Sequence, residues 1–210
     1  MAGILLRNLG HKVQILEQSE LSERKEQGAG LTIGPQVQEL LSKYDSIKEP
    51  YSIDCPGIQY LDGESKRSKF VKRPMQFSSW NTLYYLLRAN FDGFKSEFHP
   101  DAPAPPKLGE AQIQLGAKVT NVTYDKTHVN VEYTNVSDGT AKSVNADLVI
   151  AADGTSSAVR QLLLPEIKRD YAGYLCWRGN VDEEDVEPAT REILQQFFNA
   201  NTYSGGYILK

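Results

Sequence analysis

The stretch of this sequence best suited to holding a ligand is Asp147 to Arg160, DLVIAADGTSSAVR. Asp153 offers a carboxylate, Gly154 a backbone without a Cβ, and Ser156 or Ser157 a hydroxyl that can cap a helix. These residues follow a continuous apolar run, Leu148-Val149-Ile150-Ala151-Ala152, and precede a helical pattern that reaches Leu164. A run without alternation suits a strand covered on both faces, as in a parallel sheet between layers. Ligands of open α/β sheets bind beyond the carboxyl ends of such strands, where helix amides can face an anion. A tight strand-to-helix turn with a solvated aspartate accounts for the same residues equally well.

A second candidate lies near the start of the chain. Ile4, Leu5 and Leu9 fall at helical spacing, Gly10 sits where a helix C-cap glycine belongs, and Lys12 to Leu16 reads as a strand that ends at Glu17. Helix, glycine, strand and an acidic strand tip form the second half of a dinucleotide-binding βαβ unit, in which the carboxylate accepts hydrogen bonds from ribose hydroxyls. Acidic residues end many strands, so Glu17 alone is weak evidence. Gly28-Ala29-Gly30-Leu31-Thr32-Ile33-Gly34-Pro35 adds three glycines and a proline around a short apolar segment, the composition of a backbone that passes close to a ligand or another strand.

Composition narrows the function. At 210 residues the chain has room for one large domain or two small ones, and 40% hydrophobic residues suit a globular protein. A net charge of -4 with scattered basic residues gives no nucleic-acid footprint. No apolar run approaches the roughly 20 residues that span a bilayer. The two cysteines, Cys55 and Cys176, lack metal-ligand spacing and read as reduced thiols of an intracellular, cytoplasmic protein. There is no Cys/His cluster, no P-loop and no Ser-His-Asp context, and His11, His99 and His128 read as surface residues beside loops or strand starts.

The remaining elements must position these candidates. Residues 18–27 read as a polar loop, and Gln36 to Tyr44 as a helix with Pro35 in its first turn. Ile53 to Gln76 turns to β, with Asp62-Gly63 as a hairpin signal. Trp80 to Asn90 is the clearest amphipathic helix, capped by Ser78 or Ser79, with Arg88 near its end as a solvated arginine favoured by the helix dipole. Residues 99–107 form a proline-rich loop. Three strands are expected over 117–150, the last running into the opening stretch. Tyr171 to Gly179 reads as an aromatic strand, Asp182 to Glu187 as a solvated acidic turn before a helix with Ile193, Leu194, Phe197 and Phe198, and Gly206 to Lys210 as part of a further strand.

Taken together, ILEQ (Ile15 to Gln18), GAGLTIGPQ (Gly28 to Gln36), SSWNTLYYLLRANF (Ser78 to Phe91), DLVIAADGTSSAVR and YAGYLCWRG (Tyr171 to Gly179) resemble the FAD-dependent aromatic hydroxylases, the group of para-hydroxybenzoate hydroxylase. Within that group the resemblance is closest to the 2,6-dihydroxypyridine-monooxygenase-like members common in fungi. Any one segment is weak; five in family order are specific.

The resemblance implies a mixed α/β fold: a Rossmann-like FAD domain (1–52 and 77–165) interleaved with an antiparallel-sheet substrate domain (53–76 and 166–210). It implies that Glu17 holds the adenosine ribose, that the backbone at Val119 borders the adenine, and that Asp153 and Gly154 form the D-G motif serving FAD and the nicotinamide pyrophosphate region, supported by Arg160. Gly30 falls in the GAG segment. The arginine that normally precedes it corresponds to Gln27, with Arg24 as its substitute, and Trp80 occupies a position that usually carries a flavin-contacting arginine or glutamine. The family's glycine motif would precede Met1 and its G-D-A segment would follow Lys210. The expectation is therefore a fragment, incomplete at both ends, with weak FAD binding and little turnover. The implied reaction is FAD- and NADH- or NADPH-dependent hydroxylation of a small aromatic or N-heterocyclic substrate by molecular oxygen. The alternatives are a non-catalytic remnant or flavin-binding interaction module and, less favoured, a plain NAD-dependent dehydrogenase.

Overall fold

The computed structural model describes residues 1–21, 30–61, 67–104, 108–173 and 183–195. In chain order the elements are α1 (Ala2–Asn8), β1 (Val13–Leu16), β2 (Gly30–Ile33), α2 (Pro35–Tyr44), β3 (Ile53–Leu61), β4 (Arg67–Ser79), α3 (Trp80–Asp92), β5 (Ala111–Gln114), β6 (Ala117–Tyr124), β7 (Val129–Asn135), β8 (Ala141–Ala146), α4 (Ala158–Leu163) and α5 (Pro188–Gln195). They build three sheets: a parallel pair β1-β5, an antiparallel sheet β2-β4-β3 and an antiparallel meander β6-β7-β8. The mixed α/β class expected from the sequence is the class observed.

Local chemistry explains most boundaries. α1 ends in a Schellman motif: Gly10, at φ 90°, donates its amide to Arg7 O at 2.9 Å, and His11 donates to Leu6 O at 3.1 Å. α2 starts with Pro35, whose missing N–H costs nothing in the first turn. α3 is capped by Ser79, whose hydroxyl oxygen accepts the Thr82 amide at 3.0 Å, and it stops at Gly93, left-handed at φ 72°. The glycine-rich segment passes close to another strand: β2 pairs with the end of β4, Gly30 opposite Ser79.

The core is centred on α3. Leu86 and Ala89 are 0% exposed, and Tyr85, Asn90 and Phe91 are buried beside them. α1 packs on α3 closely because Gly3 has no side chain; a Cβ there would lie 2.9 Å from the Phe91 ring. Arg7 is buried and donates Nη1 to the carbonyls of Asn90 (3.2 Å) and Phe91 (2.9 Å), satisfying acceptors that a helix end leaves open. Asn90 ties in α2: its Nδ2 donates to Asp45 Oδ1 at 2.7 Å and its Oδ1 accepts from the Ser46 amide at 2.7 Å. A second, smaller core joins the meander to α4 through Val122, Val131 and Val159, with Leu16, Val119, Val129, Val144 and Val149 packed against them.

Several expectations are corrected. β8 ends at Ala146, and residues 147–152 form no strand; Leu148 is 65% exposed and Ile150 54%. A strand needs a neighbour for its N–H and C=O groups, and among the described residues none pairs with this run. β5 was not expected, although it supplies the parallel partner of β1. Arg88 is buried rather than solvated, because Asp92 and the Tyr84 hydroxyl satisfy its guanidinium within the helix. His99 is buried too, its Nδ1 2.9 Å from Glu49 Oε2, so one of the three histidines is no surface residue. The Asp62-Gly63 turn, Phe197 and Phe198, residues 206–210 and most of the Tyr171 to Gly179 segment lie outside the described residues.

Candidate nucleotide-binding site

The sequence-predicted residues fall into groups held by different elements. Glu17 stands at the carboxyl end of β1. Its amide donates to Gln114 O at 2.9 Å, extending the β1-β5 ladder by one step, and its carbonyl accepts the Ala117 amide at 2.9 Å. The strand tip is thereby fastened to the start of β6. Its carboxylate is oriented from below: Oε1 accepts the Ser19 amide at 2.8 Å. Val119 follows on β6, and the β6-β7 register slips between Val119 and Asn121. A slip of this kind leaves a residue out of the ladder and re-aims its neighbours, a device common beside binding sites. Glu17 is thus tied by a backbone hydrogen bond to Ala117, two residues before Val119 on the same strand.

Asp153, Gly154 and Arg160 form the second group. α4 packs on β6 through Val159, so this turn shares a strand with the first group. The Asp153 carboxylate faces its own helix: Oδ2 accepts the Val159 amide at 3.1 Å. Burial pushes its pKa up, but hydrogen bonds from the Ser157 hydroxyl and the Val159 and Ala158 amides outweigh that and hold it below the usual carboxylate range. Ser157, not Ser156, caps the helix, accepting the Arg160 amide at 2.9 Å. Gly154 takes φ 75°, a conformation that favours glycine, with no atom within 4 Å of a would-be Cβ. Arg160 locks the turn by donating Nη2 to Thr155 O at 2.6 Å. The two readings of this segment therefore combine: the aspartate builds the turn, and the turn presents an open backbone.

Gly30 and Trp80 form the third group, neighbours because Gly30 pairs with Ser79. The Trp80 ring stacks on Tyr84 (centroids 4.7 Å, 14° between planes). Tyr84 accepts from Arg88 Nη1 at 2.9 Å, and the Arg88 guanidinium lies 4.3 Å from the Phe94 ring centroid. Burial pushes the Arg88 pKa down, yet Asp92 and Tyr84 more than compensate and raise it. Arg24, Gln27 and Gly28 lie outside the described residues.

One polar residue at the turn was missed. Arg169 donates Nη1 to Ser156 Oγ at 3.2 Å, from a segment whose sequence carries no periodic pattern. The only signal was the basic pair Lys168-Arg169 shortly after α4. A cleft of about 540 Å³ lined by Arg7, Lys12, Phe91, Asp92, Leu108 and Glu110 lies at the amino end of β1 and β5, away from Glu17. Ligands of open sheets bind beyond the carboxyl ends, the opposite end from this cleft. Among the described residues no group of His, Cys, Asp and Glu side chains could hold a metal.

Residues 104–187, spanning β5 to β8 and α4, match the FAD binding domain family. Over these residues the chain is thus similar to flavin-binding domains. The chain is 24% identical over 209 residues to 2,6-dihydroxypyridine 3-monooxygenase of Paenarthrobacter nicotinovorans, covering 99% of this chain and 47% of that protein. It is 26% identical over 195 residues to FAD-dependent urate hydroxylase of Mycolicibacterium vanbaalenii, covering 90% and 46%. The solved structure of 2,6-dihydroxypyridine-3-hydroxylase from Arthrobacter nicotinovorans superposes with a TM-score of 0.60 at 25% identity, over 82% of this chain and 38% of that one. These matches make the chain a relative of the FAD-dependent aromatic hydroxylases, and it spans about half the length of the curated relatives it matches.

Proposed function

We propose that this chain forms part of an FAD-dependent monooxygenase that hydroxylates a small aromatic or N-heterocyclic molecule, with NADH or NADPH as reductant and molecular oxygen as co-substrate. The observation that carries this reading is the fastening of Glu17 to the start of β6, with α4, which Asp153 caps through the Val159 amide, packed on the same strand. The chemistry of these groups fits the adenosine and phosphate end of FAD. The Glu17 carboxylate accepts ribose hydroxyls, the irregular backbone at Val119 borders the adenine, and the turn at Asp153 and Gly154, braced by Arg160, lies along the phosphates. Gly30 and Trp80 serve the flavin end, a role the family resemblance also gives to Arg24. When bound, FAD supplies the redox chemistry and oxygen activation; the protein binds, orients and excludes water.

The FAD domain comprises 1–52 and 77–165, the substrate domain 53–76 and 166–210, and β2 joins the sheet of β3 and β4 where the two meet. The setting is cytoplasmic; among the described residues no helix is long and apolar enough to cross a membrane. By itself the 210-residue chain binds FAD weakly and turns over little, because among the described residues no strand pairs with the run Leu148 to Ala152 to stiffen the site. FAD titration followed by flavin fluorescence tests this reading. Weak binding that Glu17→Ala abolishes is the expected result; protein that takes up no flavin at all overturns it. NADH and NADPH oxidation with phenols and pyridine diols then identifies reductant and substrate class.

A further inference from the structure

Trp80, Tyr84, Arg88 and Asp92 stand four residues apart and run from the first residue of α3 to the last, about 18 Å along the axis at 1.5 Å per residue. Residues at that spacing are neighbours on one helix face, and here each touches the next. The Trp80 ring stacks on Tyr84 with centroids 4.7 Å apart and 14° between planes. The Tyr84 hydroxyl oxygen accepts from Arg88 Nη1 at 2.9 Å. Arg88 turns its other edge to Asp92, donating Nη2 to Oδ2 at 2.9 Å and Nε to both carboxylate oxygens at 3.2 Å. The Phe94 ring lies 4.3 Å from the guanidinium carbon, and Tyr85 packs edge-on against Tyr84 at 5.1 Å. The phenol is thus held at its oxygen and at one edge, and the indole is stacked on the ring so held.

Helix stability does not account for this order. An anion in the last turn opposes the helix dipole, and an arginine that precedes its acid at i,i+4 is the weaker orientation of such a pair. Charge balance is the competing account: burial lowers the pKa of Arg7 and the nearby Asp92 opposes that, so Asp92 faces two buried guanidiniums. Charge balance asks only for a cation at position 88, however, not for a planar fork that serves Tyr84 and Asp92 at once. We propose that Tyr84, Arg88 and Asp92 are positioning residues that act in series to fix the plane of the Trp80 ring. The purpose of the brace rests on the flavoenzyme reading, in which Trp80 stands where the family carries a flavin-contacting side chain. A ring already held in one plane need not be ordered when its ligand arrives.

Near-ultraviolet circular dichroism of the chain with Trp177→Phe tests the brace, because Trp80 is then the one indole left. Tyr84→Phe keeps the stacked ring and removes only the oxygen that Arg88 holds. Loss of most of the indole band with an unchanged far-ultraviolet spectrum is the expected result. Asp92→Asn gives the same loss from the far end of the helix, and so does Arg88→Lys, which keeps the charge without the fork. A thermal melt runs alongside. If Tyr84→Phe and Asp92→Asn lower the melting temperature and leave the indole band at full strength, these residues only stabilise α3 and the proposal falls. A band retained in Arg88→Lys assigns the pair to charge balance and overturns the proposal as well. Should the Trp177→Phe chain not fold, the same substitutions are compared in the chain that keeps Trp177. FAD titrations separate the two readings. Tyr84→Phe weakens FAD binding about fivefold, the scale of ordering one side chain on binding. Equal affinity in wild type and Tyr84→Phe leaves the brace without a part in flavin binding and overturns its purpose. A wild-type chain that takes up no flavin removes the flavoenzyme reading, while the indole band still decides the brace.

Discussion

α3 and the segment from Leu148 to Leu164 are both rich in leucine, yet one is the most buried part of the molecule and the other among the most exposed. Leu86 has no accessible surface, while Leu148 keeps 65% of its own and Leu162, Leu163 and Leu164 each keep more than 40%. Composition does not separate them; partners do. α3 satisfies its backbone internally, is capped by Ser79 and Gly93, and meets α1, β4 and β5. The run after Ala146 depends on another strand for its hydrogen bonds, which it lacks among the described residues, and of its side chains Val149 packs on the core of Val122, Val131 and Val159 while Leu148 and Ile150 stay exposed. Apolar sequence makes burial favourable, but only tertiary neighbours deliver it.

The comparison is broken or sharpened by matched substitutions. Leu86→Ala removes a side chain packed on every face and should cost about 3 kcal/mol, the usual range for a cavity in a core that relaxes poorly. A fall in the urea midpoint with an unchanged slope is the expected readout. Asn90→Ala comes next. It strips Asp45 Oδ1 of a 2.7 Å partner and leaves the Ser46 amide without its acceptor, deep in the same region. Leaving buried polar groups unpaired should cost about 2 kcal/mol. Asn90→Asp, which keeps the acceptor but sets a carboxylate against Asp45, should be no better than Asn90→Ala. Were it to restore stability, the Asp45 contact would not be what matters.

A smaller, local effect is expected from acid at the other region. Asp153 has its pKa lowered in the folded chain. Its contribution is therefore present above the ordinary aspartate range and lost as pH falls below that range through the lowered folded value. Burial opposes this shift and the Ser157, Val159 and Ala158 hydrogen bonds produce it, so α4 should loosen in acid while α3 does not. NMR of the Val159 and Leu86 amides across an acid titration checks the contrast. Asp153→Asn should flatten the Val159 response; an unaltered response would assign it to another group.

These differences also explain how much could be read from the sequence. Elements with their own start and stop chemistry were legible: the Gly10 stop of α1, the Pro35 start of α2, the Ser79 cap of α3 and the alternation of Val129, Val131 and Tyr133 in β7. What depended on distant partners was not. The run at Leu148 looks like a core strand because hydrophobicity records what a segment could bury, not whether anything is there to cover it. β5, only four residues with two glutamines, carries too little pattern to register without β1 beside it. Arg88 and His99 looked solvated because their type is usually exposed; Asp92, Tyr84 and Glu49, which make burial tolerable, become visible only in three dimensions. Arg169 escaped for the same reason, since its contact with Ser156 bridges a segment without periodicity.

The smallest effect is the most telling one. Leu148→Ser replaces an apolar side chain of the same type as Leu86, in the stretch where the sequence most strongly suggests a buried strand. If that residue stands in water as the structure has it, the change should alter stability by less than about 0.5 kcal/mol, the range for exposed positions away from special features. It should also make the chain more soluble, because it removes one of the large apolar side chains this segment leaves exposed. A cost approaching that of Leu86→Ala would mean that the run is covered in solution. Sedimentation of the wild-type chain at two concentrations would then tell whether a second copy provides the cover. A null result with monomeric protein leaves the contrast as drawn: the same residue type, unmoved by loss on one side of the molecule and indispensable on the other.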